Sequence, residues 1–402
     1  MFQDQQEEDN WFPFEDEADG RPRWRPVPQR RVLLVASAWL LGALLLGSLL
    51  VLGILYNGSS IFRVASSTSS SSPSHPAKDA APTQTLFRAW MKKHGREYAH
   101  ADEFQQRLSK WETNLRWIEE TNSRNLSYKV AMNQFGDLDS LEFNSLFKGR
   151  KVYFNKPPQQ SDDGEGEEEE QLLTKRRNYK NETVPSYWDW REHNAVGPVK
   201  NQGACGSCWT FSATGAIEAA RVIHGGDKTV VPLSEQNLLD CSRAFNNHGC
   251  AGGLMDRAFK YIMSNGGIEA ERHYPYEGEV GPCRYKESRK ETSIKTYRTV
   301  PHGLESALQV HVWKDGPVSC GIDASHRSFQ FYRSGVYHEP ACSSIALDHA
   351  VLTVGFGREN GLDYWLVKNS WGTDWGEHGY MKLARFRNNN CGIATGAFFP
   401  IL

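Results

Sequence analysis

Net charge is scarce in this chain. Its 46 Lys and Arg stand against 48 Asp and Glu, leaving −2 over 402 residues. That balance gives no electrostatic case for holding a nucleic-acid backbone, and the acidic excess is local. No internal repeat is apparent. The spacing Cys205-Gly206-Ser207-Cys208 has no second short-spaced Cys or His pair to complete a zinc site. It also lacks the βαβ pattern around a thioredoxin-like redox centre. Neither a metal nor a cofactor is expected.

What is present is nucleophile chemistry. His349 stands 141 positions (349 − 208) and Asn369 161 positions (369 − 208) after Cys208. The spacing predicts a helix over 208–224, closed by Gly225-Gly226, which puts Cys208 in a first turn where the helix dipole favours an anion. A thiolate attacks a carbonyl far better than a thiol does. His349 can hold the proton and pass it to a leaving amine, while Asn369 orients the imidazole. Gln202 offers a side-chain N–H for the oxyanion together with the Cys208 backbone N–H. Trp371 can lie over the Asn–His contact and keep water away.

These residues, with Gln202-Gly203-Ala204, Asn369-Ser370-Trp371-Gly372 and the run Gly249 to Asp256, resemble the papain-like cysteine proteases of the cathepsin L branch. The resemblance spans residues 85–402. It implies an α+β, two-lobed catalytic domain over 184–402, with a helical lobe bearing Cys208 and a β-barrel-like lobe bearing His349. It also implies the disulfides Cys205–Cys250, Cys241–Cys283 and Cys342–Cys391. Cys320 is then left over, as a buried hydrophobe or a reactive thiol. Three disulfides point to an oxidising lumen. Substrate-binding positions carried over from the family are Gly252, Gly253, Leu254, Met255, Gly321, Leu347, Asp348, Ala350, Trp371 and Gly396. Gly396 at the pocket floor implies bulky apolar residues two places before the cut; packing of a helix is the blander reading of Leu254 and Met255. No insertion resembles the His-bearing loop of exopeptidase relatives, so internal cleavage is expected. Protein substrates, the pro-domain and cystatin-like inhibitors are the implied partners of a monomeric mature enzyme. A non-catalytic binding protein and a peptide ligase are the competing readings.

The local sequence supports these halves. Helices are expected at 208–224, 234–240 with Ser234 as N-cap, 253–264 and 304–314. Strands are expected at 351–356, 364–368 and 380–383, and 317–322 alternates like a strand.

Upstream, Glu103, Arg107, Trp111, Asn114, Ile118 and Asn122 share neighbouring faces of one helix. They resemble the ERFNIN motif of cathepsin L pro-segments, with Trp111 for its Phe. Ala131, Asn133, Phe135 and Asp137 resemble Gly-x-Asn-x-Phe-x-Asp, with Ala131 for Gly. The expectation is a helical inhibitory pro-domain over 85–155, opened by Leu86, Phe87, Trp90 and Met91. Acid release is expected through carboxylates such as Asp137 and a Glu103–Arg107 pair.

Residues 32–56 run 25 positions without a charge, enough to cross a bilayer. Arg21, Arg23, Arg25, Arg30 and Arg31 precede the run and only Arg63 follows closely, which places 1–31 in the cytoplasm. A type II signal anchor of this kind resembles membrane-tethered enzymes of protozoan parasites. The acidic tail at 7–20 reads as a sorting signal or as a solvated tail. Residues 57–84 are a Ser- and Pro-rich stalk, and 156–183 an acidic linker with the basic site Lys175-Arg176-Arg177. Asn57, Asn125 and Asn181 open glycosylation sequons; Asn57 is next to the span, leaving Asn125 and Asn181. The route implied is secretory or endolysosomal, ending in a lysosome-like or vacuolar lumen.

Overall fold

The structure, a computed structural model, describes residues 11–14, 23–26, 80–149, 151–154, 179 and 182–402. The charge-free run 32–56, the stalk up to residue 79, the basic site at 175–177 and Asn181 lie outside the described residues. Among the described residues no helix is long and apolar enough to cross a membrane. Within the N-terminal unit 1–75, β1 (Trp11–Phe14) pairs antiparallel with β2 (Arg23–Pro26). Both strands fall within residues 1–31, read from sequence as a tail.

The second unit, 76–402, begins with the pro-domain. Helix α1 (Ala80–His94) crosses α2 (Ala101–Ser123), and Phe87, Trp90, Leu108 and Trp111 close an aromatic core between them. The buried positions of α2 (Leu108, Trp111, Asn114, Ile118 and Thr121) recur every three or four residues, as one helix face requires. Two asparagines of the motif bond to backbone rather than to each other. Asn114 Nδ2 donates to the carbonyls of Gly136 and Leu138 at 2.7 and 3.0 Å. Asn122 both donates to Val130 O (2.7 Å) and accepts from Val130 N (3.1 Å). A chain segment with no helix of its own is thereby fixed to α2. Asp139 then caps α3 (Ser140–Phe147) through a reciprocal capping box with Glu142.

The pro-domain is helical as expected, and it adds two short strands that the sequence did not suggest. Strand β3 (Tyr128–Val130) joins the edge of the catalytic sheet, and β4 (Val152–Tyr153) pairs with two residues beside the site. The backbone donors and acceptors of an exposed sheet edge are a stronger template than weak local propensity. The Glu103–Arg107 pair is corrected. Arg107 reaches across to Glu142 (3.1 Å) and the Asp137 carbonyl, a partner from another element rather than one turn away.

The catalytic domain starts at β5 (Trp188–Asp189). Its first lobe carries α4 (Cys208–His224), α5 (Glu235–Cys241) and α6 (Met255–Ser264), followed by the short strands β6 (Ile268–Glu269), β7 (Lys290–Thr292) and β8 (Thr296–Thr299). Ser234 caps α5 as expected, its oxygen accepting from Asn237 N at 2.9 Å. Helix α6 begins two residues later than the sequence suggested, because Leu254 is extended and gives its N–H to Asn247 Oδ1 at 2.9 Å.

Next come α7 (Glu305–Lys314), β9 (Val318–Ile322), α8 (Arg327–Gln330), β10 (Tyr332–Tyr337), β11 (Ala346–Leu347), β12 (His349–Glu359), β13 (Leu362–Lys368), β14 (Tyr380–Ala384) and β15 (Ala397–Ile401). One nine-stranded sheet runs β3-β10-β14-β13-β12-β9-β15-β8, with β5 also on β12. All five residues of β9 are buried, so its apparent alternation hid a strand covered on both faces. Helix α4 is buried along most of its length against this sheet. Ser212 on it donates to Val351 O at 2.7 Å, and Ser319 of β9 donates to Ser212 O at 2.7 Å.

Candidate active site

Helix α4 presents Cys208 in its first turn. Its N-cap, Ser207, makes no capping bond and spends its hydroxyl on Tyr276 instead (2.6 Å). The first-turn N–H groups therefore have no acceptor from the cap, and the backbone N–H of Trp209 is directed to the Cys208 sulfur. Strand β12 starts at His349, and the backbone of its next residue, Ala350, also reaches the thiol. The two lobes thus bring Cys208 and the start of β12 together.

His349 Nε2 lies 2.8 Å from Asn369 Oδ1, while Nδ1 has no hydrogen-bond partner. That leaves Nδ1 for the sulfur's proton. The Trp371 ring stacks on the imidazole with centroids 4.5 Å apart. Asn369, His349 and Trp371 are all buried, so the Asn–His contact is dry. Gln202 is fully buried, and its amide is oriented by Ser370, whose hydroxyl donates to Oε1 at 2.6 Å. The arm bearing Gln202 is tied down by Lys200, which pairs with Glu235 (2.6 Å) and Glu218 (3.1 Å).

The pro-segment fills the cleft. Gln202 Nε2 donates to the Phe147 carbonyl at 3.0 Å as well as to Cys205 O at 2.7 Å. Gly149 N–H donates to Asp348 O at 3.0 Å, and its backbone lies close enough to the Cys208 thiol to act on it. Lys148, almost wholly buried, pairs with Asp348 at 2.9 Å. Beyond, Phe154 lies against Gly396, where an added Cβ would come within 2.9 Å of the ring. Gly206 is likewise required, because a side chain there would collide with Cys250 O and come within 2.8 Å of Lys148 O.

Burial under this cover sets the protonation states. Desolvation pushes the Cys208 thiol up to about 11, with the Asp348 charge adding to it against backbone N–H groups. Desolvation also pulls His349 down to about 3, opposed by Asn369 and reinforced by Lys148. The covered site is therefore a neutral thiol beside a neutral imidazole.

The three disulfides are formed as the resemblance implied: Cys205–Cys250, Cys241–Cys283 and Cys342–Cys391. Cys320 is wholly buried in β9, accepts from Thr353 Oγ1 at 3.2 Å and has its thiol pushed up to about 12 by desolvation, which fits the buried-hydrophobe reading. Gly321 pairs with Ala350 across β9 and β12, donates to Gly396 O (2.9 Å) and faces Leu347, so these four positions converge. Met255 is buried at the start of α6 beside the partly exposed Leu254. Gly149 approaches the Gly252 Cα, and Gly253 packs on Trp209. Asn125 is exposed. Sequence reasoning missed Lys148, Gly149 and Phe154. A signal existed in the order of the chain, since a helix ending at Phe147 has to hand its backbone to whatever lies beyond, but residue type alone did not reveal it.

A nucleophilic sulfur at a helix start, an imidazole fixed by an asparagine and a self-derived peptide across both define a cysteine protease in its closed, precursor form. Residues 184–401 match the papain family cysteine protease model, and residues 87–143 the cathepsin propeptide inhibitor domain (I29). The chain belongs to the papain family of cysteine proteases and is a cathepsin L-like member. Digestive cysteine proteinase 2 of Homarus americanus is 44% identical over 329 residues, covering 80% of this chain and 95% of that protein. Procathepsin L of Mus musculus is 43% identical over 324 residues, covering 79% and 91%. Among solved structures, digestive procathepsin L 3 of Tenebrio molitor larval midgut superposes with a TM-score of 0.69 at 38% identity, covering 80% of this chain and 99% of that one.

Proposed function

We propose that this zymogen matures into an endopeptidase acting through a thioester on Cys208. Cys208 attacks the carbonyl, His349 protonates the leaving amine, and water activated by His349 releases the acid. Gln202 and the Cys208 backbone N–H receive the oxyanion, Asn369 orients the imidazole, and Trp371 shields it. The observation that carries this reading is the pro-segment backbone itself, with the Phe147 carbonyl on the Gln202 amide and Gly149 over the sulfur. If the acyl side of a substrate lies toward Gly396, the pro-segment runs the opposite way, which explains how it occupies the cleft uncut. Phe154 against Gly396 favours bulky apolar side chains two positions before the cut, in a pocket walled by Gly321, Leu347 and Ala350. Gly252 and Gly253 offer backbone for the substrate to pair with, and Leu254 and Met255 border the same pocket. The test is a peptide-library profile of the matured enzyme together with labelling by a peptidyl epoxide. Labelling at Cys208 and selection of Leu or Phe are expected; preference for Arg at that position would overturn the pocket assignment.

Acid activation is part of the proposal, and the signs decide which group responds. Uncovering Cys208 and His349 exchanges thiol plus imidazole for thiolate plus imidazolium, one proton in either case, so acid gains nothing there. Asp139 has its carboxyl lowered, chiefly by the Glu142 backbone N–H; its contribution is lost only below the ordinary 3.8. His94 differs. It packs on Trp90, lies 3.5 Å from Asp374 of the catalytic domain, and feels Lys93, Arg96 and Asp137 as well. Burial, then Lys93, lowers it below 6.5. A lowered histidine contributes stability that is present above 6.5 and lost as pH falls toward the folded value. The His94→Gln zymogen is expected to process at rates that differ less between neutral and mildly acid buffer than wild type does. An unchanged pH response would remove His94 from the mechanism.

The proposal extends to a type II anchor over 32–56, with the catalytic domain lumenal and the enzyme on the endolysosomal route. Three disulfides and the exposed Asn125 fit such a lumen. The full-length precursor is expected to resist alkaline carbonate extraction and a chain lacking 32–56 to be released by it.

A further inference from the structure

We infer that Asp348 makes the matured enzyme selective for a lysine or arginine side chain immediately after the cut, and that Lys148 occupies that subsite in the zymogen. The inference rests on the thioester reading above, which fixes the side on which the leaving amine departs. The pro-segment crosses the cleft in order, with Phe147 at the Gln202 amide, Gly149 at the sulfur and Phe154 at Gly396. Lys148 precedes Gly149 and so falls on the side away from Gly396. That side also holds Trp371, against which Phe135 and Phe143 of the pro-domain pack edge-on at 5.6 and 5.1 Å. It is the leaving-group side.

Lys148 is 4% exposed there, and its ammonium rests on Asp348 Oδ2 at 2.9 Å. A lysine buried to that degree needs a fixed counter-charge, and Asp348 is built as one. Its Oδ1 is held by the Ala324 backbone N–H at 2.9 Å, and its own N–H is bound to Ile322 O at 3.0 Å, so the carboxylate is anchored whether or not Lys148 is present. The neighbouring carboxylate, Asp323, is already engaged by the Ser325 and Ser343 N–H groups and by His326 at 3.5 Å. Asp348 Oδ2 is thus the acceptor that loses its cation when the pro-segment leaves. The carboxylate keeps its Ala324 tether when the cleft opens, and a substrate ammonium or guanidinium on the leaving-group side restores the charge-assisted pair. The backbone directions of pro-segment and substrate are opposite, but the side-chain pocket is shared.

The test uses the matured enzyme and paired fluorogenic peptides identical except for Lys, Leu or Glu after the cut. The reading is the ratio of kcat/KM within each enzyme. Wild type is expected to favour Lys over Leu by about tenfold and to disfavour Glu, as a charge-assisted bond of this kind predicts. Asp348→Asn should bring the Lys-to-Leu ratio near unity, and Asp348→Glu should keep part of it. Equal cleavage of all three peptides by wild type, or a ratio unmoved in Asp348→Asn, overturns the inference and leaves Lys148 as a lock only. Failure of every peptide to be cut counts instead against the thioester reading.

Discussion

His349→Ala, matured by an added protease, is expected to hydrolyse peptide amides about 10⁴-fold more slowly than wild type, and Cys208→Ser to fall at least as far. The size follows from what each group stores. Without the imidazole there is no neutral-pH acceptor for the sulfur's proton and no acid for the leaving amine, and Nδ1 of His349 is the ring nitrogen left unbonded. Without the sulfur, a hydroxyl of far higher pKa would have to be ionised by the same base. Gln202→Ala should cost less, roughly 10²–10³, because the Cys208 backbone N–H remains to meet the oxyanion. The graded order is the informative part, since mere misfolding would lower all three alike. Steady-state kinetics on purified mature proteins with intact disulfides read it directly. Near-normal turnover by His349→Ala would falsify the assignment.

How much of this was written in the chain depends on the length scale of the cause. Helix α4 was legible because Gly225-Gly226 closes a run whose apolar residues recur at helical spacing, and α5 because Ser234 can cap it. The convergence of Cys208, His349 and Asn369 was legible only through the family resemblance, since residues 141 and 161 positions apart carry no local signal of contact. Strands β3 and β4 were not legible. Each is three residues or fewer, and each exists because a catalytic-domain edge accepts it. The same holds for Arg107, whose partner Glu142 lies on another helix, and for Lys200 with the buried Glu218 and Glu235 behind the site. Electrostatic partners at long range are set by packing, and packing is the last thing a sequence discloses. β9 was legible as a strand from its alternation, and the structure buries all five of its residues between β12 and β15.

A second large effect separates covering from chemistry. In the intact zymogen Cys208 should react with a small alkylating agent at neutral pH several thousand-fold more slowly than in the matured enzyme. With its thiol pushed up to about 11, only about one molecule in 10⁴ carries the thiolate at pH 7, and the thiolate is the reacting species. Once Lys148 and Gly149 depart, the desolvation that raised the thiol and lowered His349 is relieved, and the imidazolium beside the sulfur holds it ionised. Cys320 supplies an internal reference. Its thiol is raised to about 12 by burial in β9, a strand of the catalytic domain itself, so it should stay unreactive in both forms. Peptide mapping after timed alkylation distinguishes the two cysteines, and gel mobility shows which chains are still uncut. Equal labelling of Cys208 before and after maturation would mean that the pro-segment obstructs substrates without altering the nucleophile. A large difference that persists in Lys148→Ala would locate the effect in the Gly149 backbone cover rather than in the Lys148 charge beside His349.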